Sequence, residues 1–188
     1  MSRVLIPLAE DFEELEAVTV IDLLRRGQVE VTVAGLAGEG PVRGSRGTVI
    51  VPDVALGEVV EDDFDMLVLP GGLPGADHLA GDSRLREMLQ RHARGGRYTA
   101  AICAAPRALA AAGLLEGRQA TCFPGALKPE DHPSLELDME RPVVVDGNLV
   151  TSRGPGTAMD FALDLLELLE GRTTRRDVEG ALQRQPAV

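Results

Sequence analysis

The chain has 188 residues, 44% of them hydrophobic and 26% charged, and a formal net charge of -11 at pH 7. This length suits one domain with a sizeable core, and we expect residues 1–188 to form a single domain. The negative charge repels phosphate backbones and anionic lipids, so neither nucleic acid nor a membrane is an expected partner. Acidic residues follow the short apolar run near the N-terminus, which argues against a signal sequence or membrane span. A cytoplasmic location is the default expectation.

Strand and helix patterns alternate in the first part of the chain. Residues 3–8 and 29–38 are short, aliphatic or β-branched runs, which predict strands. Residues 10–27 predict a helix, with acids in the first turn, arginines in the last and Gly27 as the stop. One stripe of this helix is apolar: Phe12, Leu15, Val18 and Ile21. Residues 40–56 indicate short paired strands with glycine turns.

The remainder of the chain continues the alternation. The pattern predicts a strand and Gly-Gly turn in 64–77, a helix over 83–96 capped by Ser83, and a strand over 98–103 followed by a helix over 105–113. Farther along, it predicts a hairpin around Asp146-Gly147, a long helix over 154–171 and a short helix over 176–185. Such alternation predicts an α/β fold with a mostly parallel sheet and helices on both faces. Ligands of such folds bind at the carboxyl ends of the strands, where Gly71-Gly72 and Cys103 are expected.

Cys103 stands where a strand passes into a helix, and this position favours a reactive thiol. A sharp turn there exposes the side chain, and the free N–H groups of the helix start favour the thiolate. We therefore expect the pKa of Cys103 to lie below the free value of about 8.5. The amides of Ala104 and Gly72 are candidates to hold an oxyanion. A buried, inert thiol is the alternative that spacing alone leaves open.

The other thiol and the three histidines give weaker signals. Two cysteines form no disulfide framework, and the Cys and His spacing suggests no metal site, so no metal or organic cofactor is expected. Cys122 is expected to be structural. His78, His92 and His132 have acidic, basic or proline neighbours and are expected at the surface or in loops. The proton partner of Cys103 is sought among the glutamates that follow the first strand, where Glu13 and Glu16 share a helical face.

Five segments together resemble the DJ-1/PfpI superfamily, and within it the DJ-1 branch that includes ThiJ-like and YajL-like proteins. They are LAEDFEELEAVTVIDLLRRG, VTVAGLAG, DMLVLPGGLPGA, AAICAAPRALAAAGLL and LVTSRGPGTAMDFAL. The resemblance is collinear over nearly the whole chain. It implies a flavodoxin-like three-layer sandwich and a homodimer.

The resemblance also assigns roles to individual residues. It implies that Cys103 is the nucleophile, in a strained backbone conformation, and that Glu16 is its partner carboxyl. A second group, Glu13, Asp22, Arg46 and Arg153, matches residues of the dimer contact or the pocket. Phe123 stands where animal DJ-1 proteins have a histidine, so a Cys–His pair is not available from that position. Cys103 is followed by Ala104 instead of the histidine of the peptidase branch, which weakens a protease or amidotransferase assignment.

Three functions remain open on the sequence. The resemblance implies an enzyme acting on reactive carbonyls, either a glutathione-independent glyoxalase that converts glyoxal and methylglyoxal, or a deglycase for glycated protein side chains. The alternative is a redox-responsive protective protein with chaperone-like behaviour, in which Cys103 is oxidised to sulfinate beside a protonated Glu16. The third is a dimeric scaffold with an inert thiol.

Overall fold

The structure is a computed structural model and describes residues 1–184. Its eleven strands are, in chain order, β1 (Arg3–Leu8), β2 (Glu30–Gly35), β3 (Val42–Arg43), β4 (Val49–Ile50), β5 (Val54–Ala55), β6 (Met66–Leu69), β7 (Tyr98–Ile102), β8 (Gln119–Ala120), β9 (Glu136–Leu137), β10 (Val143–Asp146) and β11 (Leu149–Ser152). Its α-helices are α1 (Glu14–Arg26), α2 (Gly75–Gly81), α3 (Ser83–Arg94), α4 (Pro106–Ala111) and α5 (Ala158–Ala181).

Seven strands form the central sheet, in the order β10-β11-β7-β6-β1-β2-β5. Only the β10–β11 pair is antiparallel among these neighbours, and it is the hairpin that the sequence predicts around Asp146-Gly147. Parallel neighbours need crossover connections, which the intervening helices supply. The predicted α/β fold with a mostly parallel sheet is confirmed.

The helices cover both faces of the sheet. Helices α1 and α5 pack against each other on one face, over a core that includes Ile6, Val68 and Phe161. Helices α2, α3 and α4 cover the other face, where Leu67 and Leu109 belong to a second core. Strands buried on both faces explain the continuous aliphatic runs in the sequence. The flavodoxin-like three-layer arrangement is therefore as expected.

Helix α1 departs from the amphipathic pattern that its sequence suggests. It begins at Glu14, later than predicted, and two members of its apolar stripe lie in solvent: Leu15 is 62% exposed and Val18 44%. Glu16, next to Leu15, is instead completely buried. The buried face of α1 therefore includes the Glu16 carboxyl, and its exposed face includes the apolar side chains of Leu15 and Val18.

The predictions missed two local features between β6 and β7. Helix α2 was not expected, because Gly75–Gly81 has a glycine at each end and its Asp77-His78 pair gives no apolar period. Helix α3 is capped by Asp82, not Ser83, since the Asp82 carboxylate accepts the N–H groups of Arg84 and Leu85.

The C-terminal helices follow the prediction in outline. The expected long and short helices are both present within α5, and Gly171, which has a φ of 85°, interrupts the helical conformation between them as predicted. Gln185, the last residue of the predicted short helix, lies outside the described residues. No helix within residues 1–184 has the length and apolarity needed to cross a lipid bilayer.

The surface prediction for His92 is wrong. Its side chain is 2% exposed, and its ring nitrogens lie 3.1 Å from the carbonyl oxygens of Met88 and Phe64. Burial lowers the pKa of His92 below its ordinary value. The one neutral ring N–H can satisfy only one of these two carbonyls.

Candidate active site

The turn between β7 and α4 holds Cys103 in an unusual backbone conformation. Its φ is 64°, in the left-handed region that costs a non-glycine residue about 1–2 kcal/mol. Two hydrogen bonds hold this turn: the Cys103 N–H donates to the Ser152 carbonyl oxygen (2.9 Å), and its carbonyl oxygen accepts the Phe123 N–H (2.9 Å). The neighbouring chain segments therefore fix the conformation that brings the thiol to the end of the sheet, where it is partly exposed.

Gly71 brings the Glu16 carboxyl close to Cys103. The Gly71 N–H donates to Glu16 Oε2 over 2.7 Å. A Cβ at Gly71 would lie only 2.7 Å from both the Cys103 Cβ and Glu16 Oε2, so a larger residue cannot fit between them. Glu16 Oε1 is buried and accepts no hydrogen bond from the described residues. The carboxyl therefore has an unused oxygen in the immediate surroundings of the thiol.

Burial makes Glu16 a weak acid. Loss of hydration raises its pKa from 4.5 to about 7, against the lowering effect of hydrogen bonds from Gly71 and the Cys103 thiol. The negative charge of Glu13 adds to the increase. A carboxyl with such a pKa is partly protonated at neutral pH and can both donate and accept a proton.

The predicted lowering of the thiol pKa is wrong. Burial, the Glu16 charge and the hydrogen bond to Glu16 together raise the pKa of the Cys103 thiol to about 12. The spacing showed the turn that supplies backbone N–H groups, and the resemblance supplied Glu16 as the partner carboxyl, but neither showed how strongly burial and the Glu16 charge oppose the thiolate. Because the repulsion exists only while Glu16 is ionised, moving the one proton from sulfur to carboxyl removes that cause and leaves a protonated carboxyl to donate to the thiolate.

Two backbone amides act in favour of the thiolate. The N–H groups of Ala104 and Gly72 hydrogen-bond to the Cys103 side chain and lower its pKa. Gly72 reaches this position with a φ of 94°, and a Cβ there would lie 2.3 Å from the Asp11 carbonyl oxygen. Both expected oxyanion donors thus lie next to the sulfur.

The other candidate residues make their contacts with residues other than Cys103. Glu13 faces the hydroxyl of Ser45 (3.3 Å). The Arg46 guanidinium donates to the Ser45 carbonyl oxygen, that of Arg153 donates to the Glu140 carbonyl oxygen, and Asp22 pairs with Arg26 on the surface of α1. The structure therefore gathers Cys103, Glu16, Gly72 and Ala104 together, and it does not direct the two arginine side chains at the sulfur.

Phe123 and Cys122 are adjacent in sequence but differ in environment. The Phe123 ring is half exposed, and its backbone bonds to Cys103. Cys122 is 1% exposed within the core on the α2–α4 side of the sheet, and burial raises the pKa of its thiol.

A cavity on the surface lies away from the thiol. It has a volume of about 530 Å³ and lies beyond the ends of β1 and β2, with Glu10, His78 and Arg84 in its wall. Cys103 and Glu16 do not line it. Within residues 1–184, no group of three or more His, Cys, Asp and Glu side chains is arranged to hold a metal ion.

Comparison with known proteins places this site in a family. The model of the DJ-1/PfpI family matches residues 2–168. The chain belongs to the DJ-1/PfpI family. Among DJ-1 relatives, the dj-1beta protein of Drosophila melanogaster is 43% identical over 178 residues, which is 95% of either chain. Its crystal structure superimposes with a TM-score of 0.90 at 41% identity, covering 98% of this chain and 100% of the other.

Two further DJ-1/PfpI relatives differ in length or in name. The DJ-1 homolog B of Arabidopsis thaliana is 42% identical over 185 residues, but this match spans 98% of the present chain and only 42% of the plant protein. A Caenorhabditis elegans relative named glutathione-independent glyoxalase DJR-1.2 is 40% identical over 162 residues, or 86% of this chain and 85% of the worm protein.

Two contributors to the site were not found by sequence reasoning. The Gly71 amide fixes Glu16, and the Ser152 carbonyl fixes Cys103. Both act through backbone atoms, which residue type does not reveal. The Gly-Gly pair was the one available signal for Gly71, because it marks a close approach of the main chain.

Proposed function

We propose that the protein converts reactive 2-oxoaldehydes to 2-hydroxy acids without glutathione. The observation that carries the proposal is the arrangement of Cys103 at a φ of 64° beside the buried Glu16 carboxyl, with two amides on the sulfur. The worm relative that is named as a glutathione-independent glyoxalase supports the same chemistry.

The proposed reaction begins with addition of the thiol to the aldehyde. The Cys103 sulfur bonds to the aldehyde carbon, and the Ala104 and Gly72 amides stabilise the oxyanion until it takes a proton from Glu16. The product is a hemithioacetal. Ionised Glu16 then removes the hydrogen of this carbon as a proton, which gives an enediol, and returns it to the adjacent carbon. The hydroxyl proton of the hemithioacetal passes to the neighbouring former carbonyl oxygen, and the product is a thioester.

Water completes the reaction. It breaks the C–S bond of the thioester, releases the 2-hydroxy acid and restores the thiol. The net change adds one water, oxidises the aldehyde carbon and reduces its neighbour, so no external oxidant or cofactor takes part. Methylglyoxal gives lactate and glyoxal gives glycolate. Glycated side chains that carry the aldehyde carbon as a hemithioacetal or a hemiaminal are a further substrate class of this proposal, as deglycase activity.

The test measures lactate formed from methylglyoxal by the purified protein and its variants. Cys103→Ala should form none, and Glu16→Gln should lose about 10²–10⁴-fold, the usual contribution of general acid–base catalysis. Cys122→Ser is the matched control, because Cys122 is buried outside the site, and it should keep its activity. Lactate production that survives both site substitutions would remove the enzyme proposal.

A redox role is the second candidate, favoured by the unpartnered Glu16 Oε1. If peroxide oxidises Cys103 to sulfinate, a protonated Glu16 can donate a hydrogen bond to it. This role predicts a gain of about 32 Da on the Cys103 peptide, since two oxygens of about 16 Da are added. Oxidation of Cys122 at an equal rate would argue against the redox role. So would selective oxidation of Cys103 that is the same in Glu16→Gln as in the wild type.

We also propose that the protein acts as a homodimer. Four exposed apolar residues support this: Leu15 and Val18 of α1, Val49 of β4, and Val51. The β3–β4 hairpin and α1 are joined, because the Glu14 carboxylate accepts the N–H groups of Arg46 and Thr48. Val18→Glu should convert a dimer to a monomer in analytical ultracentrifugation, whereas Val145→Glu, on the edge strand β10, should not. A wild-type chain that sediments as a monomer at micromolar concentration would refute the homodimer proposal.

A further inference from the structure

Two exposed apolar residues belong to chain segments whose backbone contacts Cys103. Leu73 is 52% exposed and Phe123 50%. Isolated apolar residues at a surface are ordinary, but these two lie in segments that contact the same residue, Cys103. They therefore belong to the entrance of the site rather than to a separate surface.

The backbone contacts place each side chain. Leu73 directly follows Gly72, whose N–H bonds to the Cys103 side chain. The Phe123 N–H donates to the Cys103 carbonyl oxygen, and its ring lies beside Gly154, where a Cβ would be 3.3 Å from the ring. Gly154 follows Ser152 by two residues, and the Ser152 carbonyl accepts the Cys103 N–H. Leu73 and Phe123 are thus connected to the thiol through different strand ends.

Two charged residues adjoin these contacts, and one has a partner of its own while the other is buried. Arg153, between Ser152 and Gly154, donates from its guanidinium to the Glu140 carbonyl oxygen. Glu16, the carboxyl that acts on the sulfur, is fully buried beneath it. The outer contacts that these residues offer a substrate are therefore apolar.

We propose that Leu73 and Phe123 select 2-oxoaldehydes that carry an aryl or bulky alkyl group on the ketone carbon. This rests on the proposed function and names its substrate class. Attack places the aldehyde carbon at the sulfur, so the group on the neighbouring carbon extends outward, between the two apolar side chains. A phenyl ring is larger than a methyl group, so its contact with these two side chains removes more apolar area from water.

The chemistry is unchanged by this preference. An aryl 2-oxoaldehyde takes up one water and yields the aryl 2-hydroxy acid: its aldehyde carbon is oxidised and its ketone carbon is reduced. Phenylglyoxal therefore gives mandelate, as methylglyoxal gives lactate.

The first experiment compares kcat/KM for phenylglyoxal and for methylglyoxal. The intrinsic reactivity of the two aldehydes cancels when the ratio of a variant is divided by the wild-type ratio. The Phe123→Ala/Leu73→Ala double variant should lower this ratio at least about tenfold, the scale on which apolar contacts discriminate between substrates. Phe123→Leu should keep most of it. Val145→Ala is the control, because Val145 is 45% exposed but lies on the edge strand β10, and it should leave the ratio unchanged.

A second experiment needs no turnover. N-phenylmaleimide and N-methylmaleimide alkylate thiols by the same addition, so their relative rates at Cys103, followed by intact mass in a Cys122→Ser background, report the apolar contact directly. The double variant should lose the preference for the phenyl reagent. If the double variant keeps the wild-type ratio of phenyl to methyl compound in both experiments, the inference is overturned. If the wild type forms neither acid, the proposed function fails, and the maleimide ratio still decides whether the entrance selects aryl groups.

Discussion

Replacing Glu16 by Gln should change how the stability of the fold depends on pH. Because burial raises the pKa of Glu16 from 4.5 to about 7, the folded chain retains a proton that the unfolded chain has released. Because the pKa of Glu16 is higher in the folded chain than in the unfolded chain, Glu16 stabilises the fold fully below pH 4.5, and this stabilisation is lost as the pH rises to about 7. The loss is roughly 3 kcal/mol, since about 2.5 pH units cost about 1.4 kcal/mol each. Gln has nearly the same shape, can accept the Gly71 N–H and has no charge to bury.

The assay is urea unfolding followed by circular dichroism at pH 5 and at pH 8. The free energy of unfolding of Glu16→Gln, relative to wild type, should rise by roughly 2–3 kcal/mol between these pH values, although the variant is catalytically impaired. Glu13→Gln removes only the smallest of the causes that act on the Glu16 pKa, so it should show a much smaller change. A difference between Glu16→Gln and wild type that is the same at both pH values would refute the reasoning that burial of the charge dominates at this position.

Three further predictions concern the backbone and a buried ring. Gly72→Ala should lower the free energy of unfolding by about 2 kcal/mol or more, because its Cβ would meet the Asp11 carbonyl oxygen at 2.3 Å; an unchanged urea midpoint contradicts this. Cys103→Gly should be more stable than Cys103→Ala by about 1 kcal/mol, because glycine adopts positive φ freely, and equal melting curves would count against a strained turn. His92 has a pKa lowered from 6.5, so its contribution to stability is full above that pH and is lost as the pH falls below it. Titration of its ring protons by NMR should give a midpoint below 6.5, and a higher midpoint would contradict its burial between carbonyls.

The order of strands and helices was predictable because the strands are continuous aliphatic runs. Burial on both faces leaves no polar alternation, and the helices between them have clear stops such as Gly27. The interior position of Glu16 was not predictable from pattern. Five acids lie within the eight residues that follow β1, and only the fold decides which of them turns inward and which apolar neighbours, such as Leu15, are left outside.

The thiol shows where local reasoning is incomplete. The turn at Cys103 and its amides follow from the strand-to-helix passage, and those amides do favour the thiolate. The opposing causes, burial and the Glu16 charge, come from residues far away in sequence. The resemblance to a family identified both residues, whereas spacing alone could not weigh these effects against each other.

The two hydrogen bonds that hold the peptide groups on either side of Cys103 have a consequence for adduct formation. β11 holds the N–H side and the segment at Phe123 holds the carbonyl side, so the main chain there has no freedom to follow a bound group. A carbon joined to the sulfur can change its orientation only through rotation about the side-chain bonds of Cys103. One or two torsion angles thus determine which face of a planar carbonyl meets the carboxyl below, and with it the handedness of any new stereocentre.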